Sequence, residues 1–269
     1  MQSLTENIMV HYGTRGANIG LVKTTEGLVM IETPMVPEDA YRLRSEIAAM
    51  GKIKYIINTE PHQDHFAGNY YFDGTVVGHD GTRKSILDAS MEQFKGMLQM
   101  SAPGVKLESD YYFRPPTITF SQSMTLNTGN LTLKLINLPG HTPFQTAVFI
   151  PEERVVFTGD NVVRNSMPFL HQALPYAWLD SINQIGLLEV DYIVPGHGEV
   201  CGKNYLPEMR ANIEGWIQAV LDALNKGWKI EESIARINML DRYPGDKQRM
   251  EFVQKINIEN LYRQLSPKT

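Results

Sequence analysis

The sequence contains a single cysteine, Cys201, so no disulfide can form within the chain. A small secreted scaffold held together by several disulfides is therefore excluded. The 269 residues and the hydrophobic content of 42% are sufficient to bury one large core without such cross-links. We predict a single domain over residues 1–269, in which Cys201 is a small buried thiol rather than a metal ligand.

Runs of positive charge and long apolar runs are also absent. The formal net charge is −5 and the Lys and Arg residues are scattered, which argues against nucleic acid as a partner. No apolar stretch is long enough to cross a bilayer, which argues against a membrane span. The N-terminal segment lacks the basic-then-apolar order of a secretory signal, so we expect a cytoplasmic protein.

Acidic residues and histidines are instead concentrated in one short segment. Residues 58–65 read NTEPHQDH and directly follow the apolar run of residues 53–57. A buried strand that ends in a polar loop can direct several side chains toward one point, and imidazole and carboxylate groups are donors that zinc, iron and manganese accept. We therefore interpret the segment as a metal site rather than as a solvated loop or a helix cap.

Three further turns carry the same kinds of side chain after apolar stretches. They read LPGHT at residues 138–142, VVFTGD at residues 155–160 and VPGHG at residues 194–198. The glycine before each histidine or aspartate fits a sharp turn, in which the backbone leaves the strand abruptly or adopts a positive φ. Each turn alone is weak evidence, but the ordered set of four segments is difficult to produce by chance.

Together, the four segments resemble the metallo-β-lactamase fold superfamily. Its hallmark is a His-x-His-x-Asp-His loop followed by a Gly-His turn, a Gly-Asp turn and a final Gly-His turn, and the resemblance covers roughly residues 8–200. It implies an α/β fold, an αββα sandwich with a core of about residues 8–203. Apolar residues at helical spacing predict a helical extension over residues 204–269. The implied metal ligands are Glu60, His62 and His141 for one ion, Asp64, His65 and His197 for a second, and Asp160 bridging the two.

One position departs from the family pattern, because Glu60 stands where the first histidine is usual. A carboxylate adds negative charge and a hard oxygen where the usual ligand is a neutral nitrogen. Zinc is the first expectation for the bound metal, with manganese or iron as alternatives. Three interpretations of Glu60 remain open: it ligates, it leaves a weak and partly empty first site, or it acts as a base or as a hydrogen-bond partner of a ligand.

The implied activity is hydrolysis, since a bound divalent ion acidifies water and polarises a carbonyl or phosphoryl oxygen. We expect a small-molecule ester, lactone, thioester or amide as substrate, β-lactams included, and Asp64 as the catalytic residue that orients the nucleophile. One alternative is a mononuclear iron oxygenase or redox enzyme that uses Glu60, His62 and His141. Another is a binding homologue that has lost activity.

Residues 165–178 lie between the last two ligand-bearing turns, so their side chains are placed to line a substrate pocket. Phe169 and Trp178 would contact an apolar or aromatic group, and His171 would donate a proton to a leaving group. The alternative is that all three are ordinary structural residues.

Periodicity predicts the remaining architecture. Predicted strands cover residues 8–12, 19–23, 28–32, 53–57, 75–77, 117–120, 124–126, 131–138, 146–150 and 154–157. Predicted helices cover residues 37–50, 66–72, 82–100, 207–226, 230–237 and 247–265. The C-terminal helices could cover the active site or form a homodimer interface, but packing on the outer sheet is the default expectation.

Overall fold

A computed structural model describes residues 1–12 and 14–267 of the chain. The strands are β1 (Gln2–Ser3), β2 (Ile8–His11), β3 (Ile19–Thr24), β4 (Gly27–Ile31), β5 (Ile53–Asn58), β6 (Thr75–His79), β7 (Ile118–Phe120), β8 (Ser123–Thr128), β9 (Leu131–Asn137), β10 (Thr146–Ile150), β11 (Val155–Phe157) and β12 (Tyr192–Val194). The helices are α1 (Pro37–Ile47), α2 (Gln63–Phe66), α3 (Asp80–Leu87), α4 (Met91–Ser101), α5 (Pro175–Leu187), α6 (Leu206–Asn225), α7 (Ile230–Arg236) and α8 (Lys247–Leu265).

These strands form two sheets. The first contains β1 to β7 in sequence order, antiparallel from β1 to β4 and parallel from β4 to β7. The second has the order β12-β11-β10-β9-β8 and is antiparallel except for the parallel pair of β11 and β12. Consequently β9, β11 and β12 run in the same direction, and the loops that follow them emerge at the same edge of the sheet.

Branched aliphatic side chains from both sheets form the central core. Val22 and Val29 from the first sheet meet Leu133, Leu135 and Val148 from the second, and all five are fully buried. Along β9 the inward residues alternate with the more exposed Thr132 and Lys134, as expected of a strand with one buried face. The sheets therefore pack face to face.

Helices cover both outer faces, which confirms the predicted αββα sandwich. On the first sheet, Leu43 of α1 packs in a cluster with Leu21 and Met30. On the second sheet, helices α5, α6 and α8 bury Ile182, Trp216 and Ile258 in a cluster that also includes strand residues. The C-terminal helices thus pack on the outer face of the second sheet. None of the helices in the described part of the chain has the length and apolar character of a membrane-spanning segment.

Two helix predictions need correction. The single helix predicted over residues 82–100 is two helices, because the chain breaks after Leu87 and Ser90 caps α4 by accepting a hydrogen bond from the Gln93 N–H at 3.2 Å. Helix α5 is an addition to the predicted elements, since residues 165–178 are interpreted as pocket lining and residues 179–187 are assigned no element. Its buried residues Trp178, Ile182 and Ile185 nevertheless recur at helical spacing.

Candidate metal centre

The four sequence segments converge at one edge of the sandwich. The loop after β5 supplies Glu60 and His62, and the short helix α2 that follows it supplies Asp64 and His65. The loops after β9, β11 and β12 supply His141, Asp160 and His197. Three sets of these residues place one donor atom each within 4.8 Å of one another. The sets are Glu60, His62 and His141; Asp64, His65 and His197; and Glu60, His65 and Asp160.

The first set, made of Glu60, His62 and His141, is compact. The Glu60 Oε2 atom lies 2.5 Å from His62 Nδ1 and 3.3 Å from His141 Nε2. The two imidazole nitrogens are 3.1 Å apart. Two ligands of one tetrahedral zinc ion would be about 3.3 Å apart, given bond lengths near 2 Å. The separations between His141 and its two neighbours are of that size.

The second set, made of Asp64, His65 and His197, is wider. Asp64 Oδ2 lies 3.2 Å from His197 Nε2, and Asp64 Oδ1 lies 3.9 Å from His65 Nε2. Asp160 faces both sets. Its Oδ1 atom is 3.5 Å from His197 Nε2, while its Oδ2 atom is 3.7 Å from His141 Nε2 on the other side. A carboxylate in this position can contact two ions with different oxygens.

Several donor atoms in this cluster are buried and have no hydrogen-bond partner within residues 1–12 and 14–267. They include Glu60 Oε2, His65 Nε2 and Asp160 Oδ1. Buried polar atoms normally have partners, because an unpartnered one costs the desolvation energy. The three carboxylates Glu60, Asp64 and Asp160 together carry a charge of −3, which two divalent ions would offset with +4. The chemistry of the donor set therefore fits one or two divalent metal ions.

Glu60 is held so that one oxygen faces the histidines. Its Oε1 atom accepts hydrogen bonds from Gln145 Nε2–H and from the Asp160 backbone N–H, each at 3.1 Å. The Gln145 amide also donates to the Thr158 carbonyl at 3.2 Å, which fixes its orientation. Because Oε1 is occupied, Oε2 is the oxygen available to a cation. Glu60 and Gln145 are both fully buried.

Other groups orient the histidines from outside. His141 Nδ1–H donates to the Phe169 carbonyl oxygen at 2.7 Å, because a carbonyl can only accept. In the neutral imidazole the lone pair is then on Nε2, the nitrogen that faces Glu60. Behind His65, the Glu32 Oε1 atom lies 3.5 Å from Nδ1. Sequence reasoning missed Glu32, Gln145 and the Phe169 carbonyl, because none of them belongs to the motif.

The charges in the cluster stabilise one another. Burial raises the pKa of the Asp64 carboxyl, but His65 and His197 outweigh this and hold the pKa below its usual range. Burial lowers the pKa of His197, but Asp160 and Asp64 outweigh it and raise the pKa to about 9. The lowered pKa of Asp64 and the raised pKa of His197 both indicate that the carboxylates stabilise positive charge in the site.

The three glycines that precede ligands act in two different ways. Gly159 has a φ of +50°, which glycine adopts without strain. Gly140 and Gly196 do not have a positive φ. Instead, a Cβ at Gly196 would lie 2.0 Å from Asp160 Oδ1, and a Cβ at Gly140 would lie 2.3 Å from Asn161 Oδ1. Close approach of neighbouring atoms, rather than backbone conformation, requires glycine at these two turns.

The three predicted pocket residues, Phe169, His171 and Trp178, lie in different surroundings. His171 is partly buried beside the first set, with its ring centroid 4.9 Å from that of His62. Burial, and then the neighbouring His62 and His141, lower the pKa of His171 to about 3, so its imidazole is neutral at physiological pH. The ring of Phe169 is partly buried and packs against the core on the second sheet.

Trp178 is a correction to the predicted pocket lining. Its side chain is fully buried, and its Nε1–H donates to the Asn161 carbonyl at 2.9 Å. The indole ring lies 5.5 Å from the His141 ring, between centroids. Because Trp178 sits on α5 behind His141, it supports a proposed ligand instead of facing a substrate.

Burial raises the pKa of Cys201 to about 11, and its thiol is in none of the three candidate sets.

Comparison with known proteins agrees with this geometry. The family described as "Metallo-beta-lactamase superfamily" matches residues 12–197. The chain belongs to this superfamily, which confirms the resemblance seen in the motifs.

Individual relatives differ in name. The chain is 20% identical over 260 residues to a linear primary-alkylsulfatase from Pseudomonas sp. (strain ATCC 19151), covering 81% of this chain and 49% of the relative. It is 25% identical over 226 residues to the acyl-coenzyme A thioesterase MBLAC2 of Homo sapiens, covering 73% and 78%. A solved metallo-beta-lactamase family protein from Thermus thermophilus has a TM-score of 0.71 at 18% identity, covering 97% of this chain and 95% of that one. The chain spans about half the length of the first curated relatives that it matches.

Proposed function

We propose that this chain is a metal-dependent hydrolase acting on a small carbon-centred ester, lactone, thioester or amide, β-lactams included. The observation that carries the proposal is the convergence of three carboxylates and four imidazoles, with buried donor atoms that have no hydrogen-bond partner among the described residues. The names of the relatives, a thioesterase and a sulfatase, support hydrolysis without selecting one substrate.

In this proposal Glu60, His62 and His141 hold one ion, and Asp64, His65 and His197 hold another, with Asp160 between them. When bound, a divalent ion such as zinc makes water acidic and polarises the oxygen of the bond to be cleaved. Asp64 has the most accessible of the three carboxylates, with 29% of its side chain exposed, against 11% for Asp160 and none for Glu60. It is therefore the group placed to orient a nucleophilic water and to accept its proton.

Glu60, His62 and His141 alone would also make a two-histidine, one-carboxylate site of the kind used by non-haem iron oxygenases. The complete second set beside it favours a dinuclear hydrolytic centre instead. The same completeness argues against a binding homologue that has lost its metal.

The test combines metal analysis with turnover. We expect the isolated protein to hold close to two divalent ions per chain, to lose activity on chelation and to regain it with zinc or manganese. Activity is measured on a panel of thioester, lactone, β-lactam, carboxylic ester and sulfate ester substrates. One bound iron with oxygen consumption would favour the oxygenase alternative. A chain that binds none of zinc, manganese and iron would refute the metal site.

Gln145 offers a more specific test of the first set. In Gln145→Leu the Glu60 Oε1 atom loses one of its two hydrogen-bond donors, so the carboxylate can rotate away from the histidines. We expect zinc affinity of the first set to fall about 10–100-fold, as for other partners of metal ligands. Competition with a chromophoric chelator measures this affinity. The exposed Gln122→Leu is the matched control, and equal affinity in both variants would contradict the role of Gln145.

A further inference from the structure

We propose that the C-terminal helix α8 positions the candidate metal centre through two buried asparagines, Asn257 and Asn260. Their target is the segment of residues 164–174 that precedes α5, here called the site loop. The inference rests on the proposed function, because the site loop contacts His141 and His62 of the first set.

The site loop contains no helix or strand of its own between Asn161 and Pro175. Its backbone nevertheless includes fully buried residues such as Leu170, and buried N–H and C=O groups require partners. The rest of the sandwich pairs the two ends of the loop, since Arg164 N–H donates to the His197 carbonyl and Leu174 N–H donates to the Gly140 carbonyl, each at 2.9 Å. Inside the loop, Ala173 N–H donates to the Leu170 carbonyl at 3.1 Å.

Helix α8 supplies the missing partners. Asn257 Oδ1 accepts from the Leu170 N–H at 2.6 Å, and Asn257 Nδ2–H donates to the Pro168 carbonyl at 2.8 Å. Asn260 Nδ2–H donates to the Leu170 carbonyl at 2.6 Å and to the Ala173 carbonyl at 3.1 Å. The two asparagines are three residues apart and so share one face of the helix.

Both asparagines are buried, with 0% of Asn257 and 7% of Asn260 exposed. A buried amide is costly unless its polar atoms are paired, and both polar atoms of the Asn257 side chain are paired with the site loop. An apolar residue in either place would leave the loop N–H and C=O groups that these amides pair without partners. The fixed geometry of the loop, rather than helix packing, is therefore what these amides provide.

The anchored residues bracket three contacts that the site loop makes with the first set, one of which places the Gln172 Oε1 atom 3.3 Å from His62 Nε2. Phe169, between Pro168 and Leu170, offers the carbonyl that accepts from His141 Nδ1–H at 2.7 Å. His171 follows Leu170 directly and places its ring 4.9 Å from the His62 ring, between centroids. Helix α8 thus fixes the orientation of one proposed ligand and the placement of a side chain beside another.

Helix α8 lies outside the part of the chain that the family match covers, which ends at residue 197. The C-terminal helices therefore do more than pack on the second sheet. Asn257 and Asn260 are positioning residues, because they act on the site only through the loop.

The experiment replaces each asparagine with leucine, which keeps the branched shape and the number of side-chain heavy atoms and removes the hydrogen bonds. In Asn257→Leu and Asn260→Leu we expect amide hydrogen exchange to become faster in residues 167–174 while the sheets keep their protection. We also expect zinc affinity of the first set to fall about tenfold or more, as for other groups that orient metal ligands. Glu259→Gln, on the same helix and partly exposed, is the control and is expected to match the parent.

Hydrogen exchange is measured with and without metal, so the loop is tested even if the parent protein binds no ion and the proposed function fails. Unchanged exchange in residues 167–174 of both leucine variants would overturn the proposal. Faster exchange spread evenly over the whole chain would also overturn it, since that pattern indicates general destabilisation. If Asn257→Leu does not fold, Asn260→Leu, at the more exposed position, decides by the same two measurements.

Discussion

Asp64→Asn is expected to lower turnover by more than about a hundredfold, beyond the 10–100-fold that loss of an outer partner of a ligand costs. The substitution keeps the size of the side chain but removes its negative charge and its basic oxygen. The asparagine could not accept a proton from water, and its neutral amide would hold a cation less firmly beside His197, whose Nε2 lies 3.2 Å from Asp64 Oδ2. Bound metal is expected to fall from two ions toward one.

Elemental analysis and steady-state kinetics on the same preparation check this result. Because 29% of the Asp64 side chain is exposed, the loss of its charge is not expected to unfold the protein. Asp73→Asn, at an exposed position, makes the same chemical change away from the site and serves as the control. Parental turnover in Asp64→Asn with its metal content verified would remove Asp64 from the proposed mechanism.

Glu60→Ala is expected to empty the first set and to destabilise the fold as well. The substitution removes the carboxylate that lies among His62, His65 and His141. It also leaves the Gln145 amide and the Asp160 N–H without their shared acceptor, which costs about 1–3 kcal/mol for each buried group left unpaired. We expect one ion per chain, a lower melting temperature and turnover below a tenth of the parent value.

Glu60→Ala removes the carboxylate ligand, whereas Glu60→His replaces it with an imidazole ligand. A histidine restores the nitrogen that is usual in the family, so we expect metal preference to shift toward zinc and away from manganese and iron. Dialysis against an equimolar mixture of the three ions, followed by elemental analysis, measures the preference. Glu92→His, on the exposed face of α4, is the control. An unchanged preference would mean that Glu60 does not contact the metal.

Helix α4 and helix α5 show where reasoning from local pattern fails. The predicted helix over residues 82–100 was apolar enough to continue, but the side chain of Ser90 competes for the backbone and starts a new helix. Residues 175–187 have a helical pattern, but the prediction assigns residues 165–178 to a pocket and gives residues 179–187 no element. Trp178 was misplaced for the same reason.

The sequence by itself determined the order of the candidate ligands and the resemblance to the family, and that resemblance implied the αββα architecture. It could do so because strand periodicity, sharp glycine turns and metal-binding side chains are local features that leave their mark within a few residues. Only the tertiary structure decided which groups support those ligands. Gln145 reaches Glu60 across 85 residues, and Asn260 reaches Leu170 across 90. Such contacts depend on how the two sheets and the C-terminal helices pack. The local sequence around a buried asparagine or glutamine does not specify which distant group its amide will bind.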